Sequence, residues 1–229
     1  MPDRARVRQL AQQYIQRGDP LGWFEALYQE ADAGKAILPW ADREPNLWLI
    51  EFWKEHRWDA AGQRALVIGS GLGDDSEQLA AWGFQTTAFD ISKTAIENTK
   101  KRYPHTQVTY RIADLFHPPA AWVGGFDFVL EVYTLQSFPA ELRSKAIAAI
   151  ARFVAPGGRL LAIARGRGSG EPDFMGPPWP LSRDEWEGFR RAGLKQESFD
   201  DFADPEPPWV RRFRVVYRRP GVSPESRPR

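Results

Sequence analysis

The stretch LVIGSGLGDDSEQLAAWGFQTTAFDIS, residues 66 to 92, constrains the chain more than any other. A short apolar run ends at Gly69, and glycines recur at Gly71 and Gly73. A helical pattern follows and stops at Gly83, and a second apolar run ends on Asp90. Strand, bare turn, helix, strand and acid in this order make one right-handed crossover of a parallel sheet. A glycine turn at the carboxyl edge of such a sheet lets backbone approach a ligand closely. A carboxylate ending the next strand reaches the same crevice and accepts hydrogen bonds from ribose hydroxyls. The spacing from Gly73 to Asp90 is close to the roughly 20 residues that geometry needs. These features point to a nucleoside-containing ligand.

The pattern continues on both sides. Residues 3–17, the segment DPLGWFEALYQEA and the segment ADREPNLWLIEFWKEHRW read as three helices before the first strand at 64–69. After Asp90, SKTAIENTKKRYP reads as a helix capped by Ser92, and QVTYRIAD and FDFVLEVY as strands. PAELRSKAIAAIARFVAPGG reads as a helix with its exit turn, and RLLAIAR as a fifth strand. SRDEWEGFRRAGL then reads as a helix, and KQESFDDFA and WVRRFRVVYRR as a strand pair joined by DPEPP. The expected fold is α/β, Rossmann-like and doubly wound. It has a mostly parallel seven-stranded sheet, a C-terminal antiparallel strand pair and an N-terminal helical extension. The expected divisions are a helical extension or lid over 1–60, the main domain over 61–219 and a flexible tail over 220–229.

The dinucleotide fingerprint has a third glycine where this chain has Asp74, and Asp75 follows it. Two acids at a helix N-terminus suit the helix dipole but repel phosphate. A cationic nucleoside without phosphates fits better, and S-adenosylmethionine is one. No P-loop pattern is present.

The segment ALVIGSGLGDDSEQLAAWGFQTTAFDIS, with RIADLF, FDFVLEVYTLQSFP and FVAPGGRLLAIA after it, resembles the motifs of class I S-adenosylmethionine-dependent methyltransferases. GWFEALYQE…LPWADREPN and GPPWPLSRDEW further resemble the thiopurine/thiol/halide methyltransferase branch, although the span from Trp23 to Trp40 is longer than in that branch and the acid after Pro-Trp is displaced to Asp42. The resemblance implies S-adenosyl-L-methionine as cofactor. Gly69, Gly71 and Gly73 would line its methionine and ribose, Asp90 would bind the ribose hydroxyls, and Ile91 would lie beside the adenine. Asp114 would accept from the adenine amino group, with Leu115 as an apolar wall, and Glu131 would face the methionine end. Trp23 and Trp40 would close over the cofactor, where an indole face attracts a sulfonium by about 0.5–2 kcal/mol once water is excluded. Trp48, Trp53 and Trp58 are read as plain packing of helices on the sheet.

The implied reaction is direct in-line transfer of a methyl group to a small molecule, a soft nucleophile such as a thiol, thiopurine-like compound or halide. Glu131 or Tyr133 stands nearest for any deprotonation, and Arg165 or Arg167 for an anionic substrate. A second reading keeps the reaction with an amine, metalloid or protein acceptor. A third is a non-catalytic adenosine-ligand-binding domain of the same fold. With 31 Lys and Arg against 30 Asp and Glu, the chain has no basic stripe for nucleic acid. It has no cysteine, and His56, His105 and His117 lack metal-ligand spacing, so no metal site is expected. No segment has membrane-spanning or signal-peptide character, and the expected location is cytoplasmic. The expected oligomeric state, on which the chain carries little, is a monomer.

Overall fold

The computed structural model describes residues 4–56, 58–171, 174–204 and 209–221. Three helices come first: α1 (Ala5–Gln16), α2 (Gly22–Asp32) and α3 (Leu47–His56). The Asp19 carboxylate accepts from the Gly22 backbone, and the Asn46 side chain accepts from the Trp48 and Leu49 amides, so α2 and α3 each start on an acceptor.

The alternating region follows as β1 (Arg64–Ile68), α4 (Asp74–Ala81), β2 (Gln85–Asp90), α5 (Lys93–Arg102), β3 (Thr109–Ile112), β4 (Phe126–Val132), α6 (Ala140–Phe153) and β5 (Val154–Arg167). The chain ends with β6 (Leu181–Ser182), α7 (Glu187–Arg191), β7 (Lys195–Ala203) and β8 (Arg211–Arg218). The main sheet runs β3-β2-β1-β4-β5-β8-β7, with β6 pairing β5 off this path. The first five strands are parallel, and β8 is antiparallel to both β5 and β7. This is the expected doubly wound sheet with its antiparallel pair.

Two elements differ from the sequence pattern. The segment VAPGG is the start of β5 rather than a helix exit, because Val154 pairs with Phe126 ahead of a register shift. A Cβ on Gly158 would meet the Phe126 and Asp127 carbonyls at 2.9 and 3.0 Å, a closeness only glycine tolerates. The helix expected over 182–194 is a 3₁₀ turn, Arg183–Trp186, followed by the short α7. Ser182 and Glu185 close a capping box on that turn, which winds it tightly before α7 begins. Of the expected tail, residues 222–229 lie outside the described residues, as do 205–208 of the DPEPP link.

The sheet is apolar on both faces, as parallel strands require. One face packs against α6, α7 and the Trp186 turn through Val129, Ile147, Ile150, Ala162 and Phe213. The other packs against α3, α4 and α5 through Leu49, Phe52, Leu79, Ile96, Phe128 and Leu161. Trp53 stacks on Trp82 at 4.2 Å, Trp58 meets Phe128 edge-on and Trp48 meets Phe202, so these indoles pack as expected. A third cluster belongs to the extension: Val7, Leu10, Ala11, Trp23 and Leu27 with Trp179.

One polar tie fixes α2 over the sheet. Glu25 of α2 accepts from the Ser92 hydroxyl (2.6 Å), the Thr94 amide (3.1 Å) and the Thr94 hydroxyl (2.7 Å) at the first turn of α5. Burial opposes ionisation of Glu25, but the hydrogen bonds from Ser92 and Thr94 outweigh it and hold the carboxyl below its usual range. Each such bond to a charged acceptor contributes about 1–2 kcal/mol net, partly offset by water in the open state. We expect Glu25→Ala to lower unfolding free energy by about 1–2 kcal/mol in urea denaturation; an unchanged midpoint would mean that the tie carries no stability.

Candidate active site

A crevice opens at the carboxyl ends of β1, β2 and β4. Gly69 to Leu72 form one wall, Asp90 and Ile91 the next, Asp114 to Phe116 a third, and Val132 to Thr134 a fourth. Leu21 at the cap of α2, Phe24 and Tyr28 within it, and Trp40 cover it. The turn after β1 is possible because Gly71 and Gly73 adopt φ of +53° and +89°. A Cβ on Gly73 would lie 2.6 Å from Thr99 Cγ2 and Tyr110 Oη, so this glycine answers to packing behind the turn. Gly73 is the cap of α4 and does not line the crevice, contrary to the sequence expectation.

Asp90 ends β2 and is 6% exposed. Its Oδ2 accepts from the Gly71 amide and its Oδ1 from the Ser92 amide, each at 2.9 Å. Burial pushes its carboxyl up to about 6, with the Ser92, Gly71 and Ile91 amides opposing the shift. A carboxylate offers about four acceptor sites. The ones left over face a crevice wide enough for a ligand's hydroxyls.

The two acids that open α4 are not equivalent. Asp74 is paired with Arg102 at 2.7 Å and accepts from the Tyr103 hydroxyl at 3.1 Å. Asp75 accepts from the Asn46 amide at 2.7 Å, and burial pushes it up to about 6. The expected pair of free anions is therefore one neutralised acid and one buried acid. The crevice is still acidic, lined by Asp42, Glu44, Asp75, Asp90 and Asp114 as well as Asp74. Among the described residues no lysine, arginine or histidine lines it. That set of acceptors fits a cationic ligand with hydroxyl and amino donors, and its negative charge opposes a diphosphate.

Asp114 and Leu115 lie on the wall as expected, next to Ile91. The Asp114 carboxylate already accepts from the Phe116 amide at 2.8 Å and sits 2.6 Å from His117 Nδ1. Trp40 is also on the wall, its Nε1 donating to Tyr28 Oη at 3.1 Å. Trp23 is not: it is fully buried, edge-on to Trp40 at 6.3 Å and stacked on Phe24 at 3.9 Å. It supports the cover from behind because its face of α2 turns into the core of the extension. Glu131 is likewise absent from the wall. It lies inside β4, fully buried, and its Oε1 accepts from the Thr134 and Leu135 amides at 2.7 and 2.9 Å. Burial pushes it up to about 7. It holds the turn whose Thr134 hydroxyl abuts Gly69, so it is a positioning residue. Tyr133 does line the crevice, in a left-handed backbone conformation at φ +63°. Burial raises its hydroxyl, which makes it a donor rather than a base.

The sequence reading missed Leu21, Phe24 and Tyr28. Their spacing of three and four residues puts them on one stripe of α2, and that periodicity was the available signal.

Residues 66–162 match the family model described as a methyltransferase domain. The ubiquinone biosynthesis O-methyltransferase of Xanthomonas oryzae pv. oryzae is 34% identical over 106 residues, 45% of this chain and 44% of that protein. The match thus spans less than half the length of that relative. The 2-heptyl-1-hydroxyquinolin-4(1H)-one methyltransferase of Mycobacteroides abscessus is 29% identical over 79% of this chain and 78% of its own. A solved structure concerned with conversion of a disulfide bond into a thioacetal group during echinomycin biosynthesis shares the fold, with a TM-score of 0.71 and 22% identity over 90% of this chain and 93% of that one. Over residues 66–162, less than half of its length, the chain is thus similar to methyltransferase domains. The matched segment holds the turn after β1, Asp90, Asp114 and the turn after β4, whereas the cover from α2 and Trp40 lies outside it. None of the described helices is long and apolar enough to cross a membrane.

Asp90 and Asp75 are ionised at neutral pH and take up protons as pH falls through about 6. A ligand held by their charge must therefore bind more weakly on the acid side. We expect calorimetric affinity for S-adenosylhomocysteine, whose own charges do not change in this range, to fall several-fold between about pH 7 and about pH 5. Asp90→Ala should weaken it at least about tenfold at neutral pH, about 1.4 kcal/mol. A flat profile and an unchanged affinity would remove both acids from the ligand's contacts.

Proposed function

We propose that this protein transfers a methyl group from S-adenosylmethionine to a small-molecule acceptor by direct in-line displacement. The observation that carries the reading is the acidic crevice with Asp90 at its centre, open to hydroxyl donors and free of cationic side chains on its walls. In this reading Asp90 holds the ribose hydroxyls, and Ile91, Leu115 and Asp114 hold the adenine. The backbone of Gly69 and Gly71 accommodates the methionine portion. S-adenosylmethionine, when bound, supplies a methyl carbon activated by a sulfonium. The chain's own part is alignment and exclusion of water, which supply most of the acceleration for such a displacement.

Neither of the two expected bases is placed for that role: Glu131 is buried under the turn it supports, and Tyr133 keeps its proton, while Asp90, Asp75, Asp74 and Asp114 on the walls are already engaged by the Gly71 and Ser92 amides, the Asn46 amide, Arg102 and the Phe116 amide. Such a site suits an acceptor that arrives with its proton already lost. The relatives named for their acceptors act on oxygen in the ubiquinone case, and the resemblance to the thiopurine/thiol/halide branch favours sulfur or halide. Trp40 beside Tyr28 supports the second chemistry, since it supplies the aromatic cover on which that resemblance rests. Methyl transfer from labelled S-adenosylmethionine to a panel of phenols, N-hydroxy compounds, thiols and halides separates the two. Tight binding of S-adenosylhomocysteine with turnover on none of them would leave a ligand-binding domain.

We further propose that residues 1–60 act as the cover of the site. The two indoles then differ in kind. Trp40→Ala should raise the KM for S-adenosylmethionine several-fold with little change in Tm. Trp23→Ala should instead cost about 3–5 kcal/mol of stability through the cavity it leaves. Equal effects of both substitutions on Tm would place Trp40 in the core as well.

A further inference from the structure

Beside the Tyr133 edge of the crevice, three guanidinium groups gather from distant parts of the chain. Arg165 stands near the end of β5, directly opposite Arg212 of β8 in the antiparallel pair. Like charges placed opposite each other on neighbouring strands repel. Arg4, just before α1, adds a third positive charge that acts on both.

Their partners are unequal. Arg212 is paired with Asp204 at 3.0 Å and lies over the Tyr133 ring at 4.8 Å. Arg167, two residues along β5, reaches the Pro180 and Glu171 carbonyls and Glu185. Arg214, two residues along β8, is held by Asp200 and Glu55. Arg165 alone of these has no ion pair and no side-chain hydrogen bond among the described residues. Only its backbone is engaged, donating to Gln136 Oε1 at 2.6 Å. Burial, followed by the charges of Arg4 and Arg212, pulls it down to about 10, which still leaves it charged at neutral pH. Asp204, paired with Arg212, and Asp42, near Arg4, offset part of this repulsion, but Arg165 itself has no ion pair among the described residues, and a half-buried cation facing two others favours an anion that joins it.

The cluster adjoins the crevice where the acceptor must come. Asp90 and Asp114 place the adenosine portion on the β2 and β3 side. The remaining approach is past Tyr133, at the ends of β4 and β5. The wall is therefore acidic at one end and meets a basic group at the other.

Resting on the methyltransferase reading above, we propose that the acceptor binds as an anion, with its negative charge held by Arg165 beside Arg4 at the Tyr133 edge. The acceptor loses its proton to solvent before it binds. Its electron pair then forms the bond to the methyl carbon as the carbon–sulfur bond breaks, and the bonding pair stays on sulfur. An anion and a cation become two species without those charges, and no proton is left in the site. This accounts for a crevice in which neither Glu131 nor Tyr133 stands ready to take a proton.

Calorimetry on the protein saturated with S-adenosylhomocysteine tests the proposal with three probes at mildly alkaline pH. These are 4-nitrophenolate, with its charge on the attacking atom; 4-hydroxybenzoate, with its charge on a carboxylate; and uncharged phenol. At least one anion should bind about tenfold tighter than phenol, and which one does so locates the charge. Arg165→Gln should abolish that preference, and Arg165→Lys should keep part of it. Both variants should bind S-adenosylhomocysteine as the parent does. Tm should hold or rise in Arg165→Gln, because a repelling charge has gone; a structural role would lower it. Phenol binding as well as both anions, or an anion preference that survives Arg165→Gln, would overturn the proposal. Loss of S-adenosylhomocysteine binding in the parent would instead sink the methyltransferase reading.

Discussion

The buried carboxylate of Asp90 ties together the parts on which the site depends. One oxygen holds the Gly71 amide and the other the Ser92 amide, so the turn after β1 and the entry to α5 are fixed to the same side chain. Two hydrogen bonds do not fully repay the burial of a charge, which is why its pKa rises to about 6 despite them. An acid kept partly unsatisfied at the edge of a crevice is poised to accept more donors. The Gly71 amide can reach it only because the turn bends through a left-handed conformation, and a Cβ there would lie 3.1 Å from Tyr28 Oη. Backbone, carboxylate and cover are thus one arrangement: loosening any one of them shifts the other two.

Glu25 extends the same arrangement upward. It takes the Ser92 hydroxyl and both donors of Thr94, so Ser92, which serves Asp90 through its amide, also anchors α2 through its hydroxyl. The first turn of α5 has no acid of its own, and Glu25 supplies from another helix the negative charge that a helix N-terminus favours. The extension otherwise has its own small core around Trp23 and Leu27. That core belongs to α1 and α2, whereas α3 packs on the sheet through Leu49 and Phe52, and Leu21 and Phe24 also rest against the main core. Within residues 1–60 the proposed cover is therefore carried by α2 and Trp40, seated on the sheet by both polar and apolar contacts.

Much of this was legible in the chain because it depends on short-range pattern. The alternation of strands and helices, the cap at Ser92 and the placement of Asp90 at the crevice follow from periodicity and from spacings within one crossover. What could not be read depends on partners far along the chain. Asp74 and Asp75 look alike in sequence, but Arg102, 28 residues on, neutralises one of them. Glu131 looks like an acid at a strand end, yet the chain after β4 folds back and buries it. Helix α2 is apolar on two sides; its periodicity separates the Trp23 side from the Phe24 and Tyr28 side but does not say which of them faces the crevice. Arg165 and Arg167 were equal candidates until the pairing of β5 with β8 and the turn at Glu185 told them apart.

The doubly wound sheet explains where the site is but not what it selects. Solved structures that share the fold at low identity show that the same layers tolerate large change in sequence. Selection has to come from charge and from what the crevice omits. Here the walls near Asp90 are acidic and have no cation, and the cations lie together past Tyr133. Asp42 and Glu44 are exposed, and Asp74 and Arg212 are paired with Arg102 and Asp204, so the uncompensated charge lies chiefly on Asp75 and Asp90 at one end and on Arg165 at the other. In the proposed reading the two groups form a dipole across the place where a positively charged donor and a negatively charged acceptor would meet, each end complementary to its own ligand. A site of this kind needs no proton shuttle, which fits the placement of Glu131, pushed up to about 7 by burial but turned inward to hold a loop.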